Sequence, residues 1–348
     1  MMVVEGQPQF WGSSAKLYLE KVTAMPTYDT IRLINHILNL YYMEEQTQSE
    51  IAGRLGLSTA KVNRLLLKGR EQGYVNITIR TPFQQLFDLE ARLEAVFGIQ
   101  DAIVIPSLPE GSSSPLNDIG AVAADYLLPH LRDGDILAIT PGTTVQAVVQ
   151  GLEVTRPYRV EVVPILGAVQ GPIESDMNYL ATNMAEKLGG KAYQLHAPAF
   201  VETRENCELL SSMEPFKEIL DIARRASIAL LGVGTVDAQA SRFVQYTALS
   251  SDDMKRIAEV CGGVGEIAAH IYDIDGQPCG KEYTDRVIGL SLADIHNIPF
   301  RIGVAATAAK ALPIYGALRG GYLHALITDE AAARGILKHF DQEFRKSA

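Results

Sequence analysis

From Asp101 to Lys338 short apolar runs alternate with segments of helical period, a pattern that few folds satisfy. The runs Asp101 to Pro106, Gly134 to Thr140, Val160 to Leu166, Ile228 to Gly232, Ile288 to Gly289, Phe300 to Ala305 and Ala325 to Thr328 read as strands. Helices are expected over Thr144 to Gln150, Tyr179 to Leu188, Leu292 to Asn297, Ala308 to Leu318 and Asp329 to Lys338. Strands that are apolar on both sides need cover on both faces, so the expectation is an α/β domain with a Rossmann-like, mainly parallel sheet between helical layers.

That domain does not use the whole chain. At 348 residues the sequence exceeds the size at which single cores stop growing, roughly 250 to 300 residues, and two unequal domains are expected. With 47% hydrophobic and 21% charged residues the chain has the material for a sizeable core. The expected division is an N-terminal arm over 1–26, a small helical domain over 27–82 and a large domain over 83–348, with a helix over Gln84 to Phe97 opening the last. The formal net charge is −10, unevenly spread: residues 1–81 hold nine Lys or Arg against seven Asp or Glu, and the remainder 22 against 34. A basic excess confined to the small domain fits a polyanionic partner for that domain alone.

Cys207, Cys261 and Cys279 have no CxxC spacing, and the seven histidines include no HExxH, so no metal and no disulfide framework is expected. His296 and His324 are expected to cap or pack. The first ten residues carry Glu5 and no apolar run, and no stretch reaches 18 apolar residues. The chain therefore reads as soluble and cytoplasmic, with no membrane partner.

In the small domain, Ile31, Ile34, Ile37, Leu38 and Tyr41 mark one face of a helix over Tyr28 to Met43. QSEIAGRLGLSTAKVNRLLL, Gln48 to Leu67, then places Ala52 where two helices approach, Gly56 where the turn needs an unhindered backbone, and Val62 and Leu65 where the next helix inserts. This is the register of a helix-turn-helix. Ser58 is the expected N-cap of the third helix, which runs to Gln72, and Val75, Ile77 and Ile79 alternate like a short strand. Thr59, Lys61, Asn63, Arg64 and Lys68 are left outward, with Gln48 on the helix before. Asn and Arg pair with base edges and Lys, Ser and Thr meet phosphates, so double-stranded DNA is the expected partner. The alternative is a structural three-helix unit with a solvated polar face. One such module makes few contacts, so an oligomer reading two half-sites is expected.

In the large domain, Thr140-Pro141-Gly142-Thr143-Thr144 joins a strand end to a helix start. Backbone NH groups and two hydroxyls at such a turn surround one anion-sized hollow, and phosphate suits it. Other strand ends are expected on the same edge: Gly167 to Gln170, Gly232 to Asp237, Gly265 with Glu266, and Asp273 to Gly276. Gln170, Asp237, Glu266 and Asp273 are each readable as turn residues, but together they suit a polyhydroxylated small molecule. Lys310, in an otherwise small and apolar helix start, either snorkels to solvent or supplies the charge a phosphate needs. No catalytic residue and no cofactor is assigned. Gly232-Val233-Gly234 gives only GxG, with Asp237 where a dinucleotide fingerprint would have its third glycine.

The segments QSEIAGRLGLSTAKVNRLLLKGREQGYV, ITPGTTVQAVV, LLGVGTVD, GGVGEIAAHIYDIDGQP and IPFRIGVAATAAKALPIYGALRGGYLHALITDEAAARGIL together resemble the SorC family of sugar-responsive bacterial regulators, over nearly all of the chain after Thr27. The resemblance implies a helix-turn-helix followed by an effector and oligomerisation domain similar to glucosamine-6-phosphate deaminase and ribose-5-phosphate isomerase. It implies a transcriptional regulator, usually a tetramer, whose operator affinity responds to a sugar phosphate or related polyol. By motif, Gly142, Thr143 and Thr144 look like the phosphate cradle and Lys310 its cation. Gly234, Asp237, Glu266 and Asp273 look like the sugar-facing wall, and Arg242, following the glycine-containing turn, is a further candidate. Two departures stand out: Ala305 and Ala306 replace a frequent glycine pair, and Pro141 replaces a glycine, which is expected to restrict the backbone there. A sugar-phosphate isomerase or deaminase with a DNA-binding appendage is the competing reading, and it lacks an acid-base pair fixed by spacing.

Overall fold

The structure, a computed structural model, describes residues 28–75, 83–107, 115–169, 176–237 and 249–347. The arm over 1–26, most of the expected strand over 75–79, Gln170 and Arg242 lie outside these residues. The chain divides into two compact units, Met1–Thr81 and Pro82–Ala348.

The first unit contains α1 (Tyr28–Tyr42), α2 (Gln48–Leu55) and α3 (Thr59–Glu71). Its core is the predicted stripe: Ile34, Ile37 and Leu38 of α1 close on Ile51 and Ala52 of α2 and on Val62, Leu65 and Leu66 of α3. Gly69 of α3 lets α1 come close, since a Cβ there would lie 2.9 Å from Leu38 Cδ1.

The second unit runs through α4 (Gln84–Phe97), β1 (Asp101–Ile105), α5 (Pro115–Leu127), β2 (Ile136–Ile139), α6 (Thr143–Gly151), β3 (Glu161–Pro164), α7 (Met177–Leu188), β4 (Lys191–Ala192), α8 (Arg204–Ser212) and α9 (Glu214–Arg224). It continues through β5 (Ile228–Gly232), β6 (Gly234–Thr235), α10 (Ser251–Cys261), β7 (Gly263–Ile267), β8 (His270–Asp273), α11 (Lys281–Thr284) and α12 (Leu292–His296). It ends with β9 (Phe300–Val304), a 3-10 turn (Ala308–Lys310), α13 (Ala311–Arg319), β10 (Ala325–Asp329) and α14 (Glu330–Ser347).

Seven strands form one parallel sheet in the order β1-β10-β9-β5-β2-β3-β4. Successive side chains of each strand enter opposite cores. Leu137, Ile139, Ile228, Leu230, Ile302 and Val304 pack under α5, α6 and α7, while Ala138, Ala229, Leu231 and Leu326 pack under α4, α9, α13 and α14. Helices α5 and α6 are in backbone contact, because a Cβ at Gly120 would lie 2.4 Å from the Ala147 carbonyl carbon.

Two expectations are corrected. Ile288 and Gly289 add no strand to the sheet: Gly289 makes one antiparallel bridge to Leu166. Gly265, Glu266 and Asp273 do not end strands of the parallel sheet; they belong to a separate three-stranded sheet, β6-β7-β8, whose pairs are antiparallel. The reason is local. A connection of two residues, Ala268 and Ala269, returns the chain as a hairpin, whereas parallel pairing needs a crossover of a dozen residues or more. Helices α5, α8, α9 and α10 are further elements that the periodicity did not expose.

Candidate functional site

In the first unit, local chemistry fixes where each helix starts. Thr47 caps α2 in a capping box, its Oγ1 accepting from the Glu50 N–H while the Glu50 carboxylate accepts from the Thr47 N–H at 2.8 Å. Those Thr47 bonds hold the Glu50 carboxyl below its ordinary range. Gly56 ends α2 at φ 63°, and Ser58 Oγ accepts from the Lys61 N–H to start α3. With Val62, Leu65 and Leu66 turned inward, Thr59, Lys61, Asn63 and Arg64 are exposed on the other side, as is Ser58 before them. Lys68 and Gln48 are half-buried. The helix therefore presents hydrogen-bonding side chains along its first two turns, the part of a recognition helix that meets base edges.

In the second unit, the chain leaves β2 toward β3 and later leaves β5 toward β9, in the opposite direction across the sheet. β2 and β5 are neighbours, so their carboxyl ends flank the point where strand order reverses, where open α/β sheets form a crevice. The turn after β2 carries Gly142 at φ 128° and ψ 157°, followed at once by α6, and Thr143 and Thr144 are half-buried. Thr140, 1% exposed, accepts from the Gly232 N–H at 2.8 Å and ties this turn to the end of β5.

On the other side of β5, Gly234 pairs with Glu266. A Cβ at Gly234 would lie 1.6 Å from Glu266 Oε1, so only glycine leaves room for that carboxylate. Glu266 Oε2 accepts from the N–H of Ala269, which with Ala268 sits at positive φ (65° and 50°). Burial pushes the Glu266 carboxyl above its ordinary range, against the pull of the Ala269 N–H and the Lys310 charge. Lys310 ends the 3-10 turn that lies against β6.

The backbone strain in this turn falls at Thr307. Ala305 and Ala306 have ordinary φ, so their lack of glycine costs nothing, whereas Thr307 stands at φ 88° and ψ 148°. That region is close to glycine-only and costs a branched residue on the order of 1–3 kcal/mol. The Asp329 carboxylate, 7% exposed at the end of β10, accepts from the Thr307 N–H at 3.0 Å.

Gly142, Thr143, Thr144, Gly234, Glu266 and Lys310 thus flank one strand end. Two other predicted residues, Gly167 and Asp273, do not join them. Gly167 packs tightly, donating to Ile288 O at 2.9 Å, with the Ala197 carbonyl oxygen 2.6 Å from where its Cβ would be. Asp273 Oδ1 accepts from Asp275 and Gln277 N–H, closing a turn that rests on Gly316 and Gly320, at the opposite end of α13 from Lys310. Asp237 is exposed just beyond β6, its N–H donated to Thr235 Oγ1. Thr307 and Asp329 had no expected role at this edge, and Thr140 was expected only as part of the Thr140 to Thr144 turn. Thr140 alone carries a legible signal, a polar residue closing an apolar strand.

His324 packs: it stacks on Phe300, and its Nδ1 accepts from the Arg301 N–H. His296 packs its ring edge-on against Tyr322, and its carbonyl accepts from the buried Arg301 guanidinium. Among the described residues no group of three or more His, Cys, Asp or Glu is placed to hold a metal ion. No helix among them is long and apolar enough to cross a membrane.

A helix-turn-helix unit followed by a parallel α/β unit with a turn-lined switch point defines a class: ligand-responsive transcriptional regulators. The family model "Putative sugar-binding domain" matches residues 81–338. The chain is 31% identical over 324 residues to the sorbitol operon regulator of Klebsiella pneumoniae, covering 90% of this chain and 100% of that one. It is 31% identical over 302 residues to the erythritol catabolism regulatory protein EryD of Brucella abortus, covering 86% and 94%. The crystal structure of the full-length sorbitol operon regulator SorC from Klebsiella pneumoniae is similar with a TM-score of 0.67 and 29% identity, over 88% of this chain and 98% of that chain. The chain belongs to the SorC family of sugar-binding transcriptional regulators.

Proposed function

We propose that this chain regulates a carbohydrate or polyol catabolic operon, binding double-stranded operator DNA through α3 with an affinity set by a small effector at the switch point of the parallel sheet. In this reading residues 27–82 are the DNA-binding domain and 83–348 the effector and oligomerisation domain, acting in the cytoplasm. Asn63 and Arg64 read base edges, and Gln48, Ser58, Thr59, Lys61 and Lys68 meet phosphates. The effector is a sugar phosphate or polyol: Gly142, Thr143 and Thr144 receive the anionic or hydroxylated end, Lys310 supplies positive charge, and Glu266 accepts from hydroxyls. Relatives named for sorbitol and erythritol regulation support the polyol class. The functional unit is a homo-oligomer, as a tetramer, whose DNA-competent and DNA-weak arrangements the effector binds unequally.

The observation that carries this reading is the pairing of the Gly142 turn and Lys310 on the two sides of one strand end. Its test is a thermal-shift screen of sugar phosphates and free polyols on the full chain, repeated with Lys310→Ala. The expected result is a hit whose affinity falls about 10-fold without the lysine, the worth of one charge-assisted contact. Hits confined to unphosphorylated polyols and indifferent to Lys310→Ala would remove the phosphate from the proposal.

A further inference from the structure

The two turns that flank β5 share one backbone geometry but reach it by different means. Gly142 stands at φ 128° and ψ 157°, and Thr307 at φ 88° and ψ 148°, each at the junction between a strand of the parallel sheet and the helical segment after it. At the first turn the residue is glycine and the geometry is free. At the second it is a threonine, which does not hold this conformation unaided.

A polar assembly surrounds that threonine. Asp329 Oδ1 accepts from the Thr307 N–H and from the Ala332 N–H, both at 3.0 Å. Asp329 Oδ2 accepts from Ser107 Oγ at 3.2 Å, and Ser107 Oγ accepts in turn from the Ala331 N–H at 2.8 Å. The carboxylate is therefore locked between Ser107, two residues beyond β1, and the first turn of α14, with its acceptor aimed at the strained peptide. The turn it governs exposes Thr307, Ala308 and Ala309 and ends on Lys310.

We infer that Asp329 is a positioning residue of the effector site: its carboxylate compels Thr307 to take a glycine's backbone conformation and thereby sets where the Lys310 turn stands beside Glu266. The inference rests on the effector reading of this edge. It also gives the site a second layer that touches no ligand, since the Thr307 N–H is already spent on Asp329. Without the carboxylate the turn relaxes to negative φ at Thr307, and the lysine at its end shifts with it. A glycine at 307 has no such preference, so it should restore the turn where Asp329 is missing. A carboxylate serving only to cap α14 would not be replaced by a change at 307.

The test compares the full chain with Asp329→Ser, Thr307→Gly and the double variant. Serine keeps an N-cap oxygen for α14, so the fold is retained, but its hydroxyl is too short to reach Thr307. Crystal structures report the turn directly, and titration with inorganic phosphate reports the site. The expected outcome is a negative φ at Thr307 in D329S, with phosphate affinity lowered about 10-fold, and recovery of both turn and affinity in D329S/T307G. Thr307 still near +88° in D329S, or a loss in D329S that T307G leaves uncorrected, overturns the positioning role. If the turn follows the prediction while no variant, wild type included, binds phosphate, the clasp stands and the phosphate part of the effector reading falls.

Discussion

The outward face of α3 and the carboxyl edge of β2, β5 and β9 are built on opposite plans. Every candidate contact on α3 lies within eleven residues of chain, Ser58 to Lys68, on a helix whose inner face is apolar. The edge joins turns from positions 140–144, 232–235, 266–269 and 305–310, holds them with buried polar groups at Thr140, Thr235 and Asp329, and stores strain at Ala268, Ala269 and Thr307. A contiguous site loses one contact when one side chain is removed. A convergent site is lost when any supporting element moves, because its geometry belongs to the packing beneath it.

The sharpest break of that contrast is Gly120→Val. Its Cβ would meet Ala147 backbone at 2.4 Å and push α6, which carries the Gly142 turn, away from α5. We expect unit 2 to lose about 3 kcal/mol or more in denaturant unfolding, and effector response with it. A stable variant with an intact effector response would mean that the edge tolerates movement of its supports.

Arg64→Ala comes next. Operator affinity should fall by about 1–3 kcal/mol in a salt-titrated binding assay while thermal stability stays within experimental error, as Arg64 is exposed on the outward face of α3. Unchanged affinity for the native operator would remove α3 as the reader. Thr47→Ala is smaller: losing the capping box should cost the first unit about 1 kcal/mol, visible as a lowered unfolding midpoint.

The smallest effect is a pH dependence at Glu266. Its carboxyl titrates above the unfolded value, so the folded chain binds the extra proton, and the stability linked to it is present at acid pH and lost as pH rises through the raised pKa. Glu266→Gln should flatten that part of the stability profile. An identical profile in the variant would show that Glu266 is not desolvated in solution.

The mainly parallel sheet and the helix-turn-helix were legible because each is written as local period: buried runs with helices between them, and Ala52, Gly56, Val62 and Leu65 in register. The hairpin of β7 and β8 was not, because Ala268-Ala269 lacks the Asn-Gly signature of a two-residue turn and its positive φ is held by Glu266. Gly142 and Lys310 stood out as candidates by residue type, whereas Asp329 was invisible: it sits 22 residues from Thr307 and reads as an ordinary helix start.

The sequence by itself determined the helices of the first unit, most strands of the parallel sheet, the division of charge and the outward polar face of α3, because period, caps and side-chain type act within a few residues. Only the tertiary structure decided which strand ends meet, that Gly234 yields its space to Glu266, that Asp273 and Gly167 serve turns and packing, and that Thr307 takes a glycine's geometry. Those outcomes follow from strand order and from hydrogen bonds between distant segments, and no local pattern encodes either.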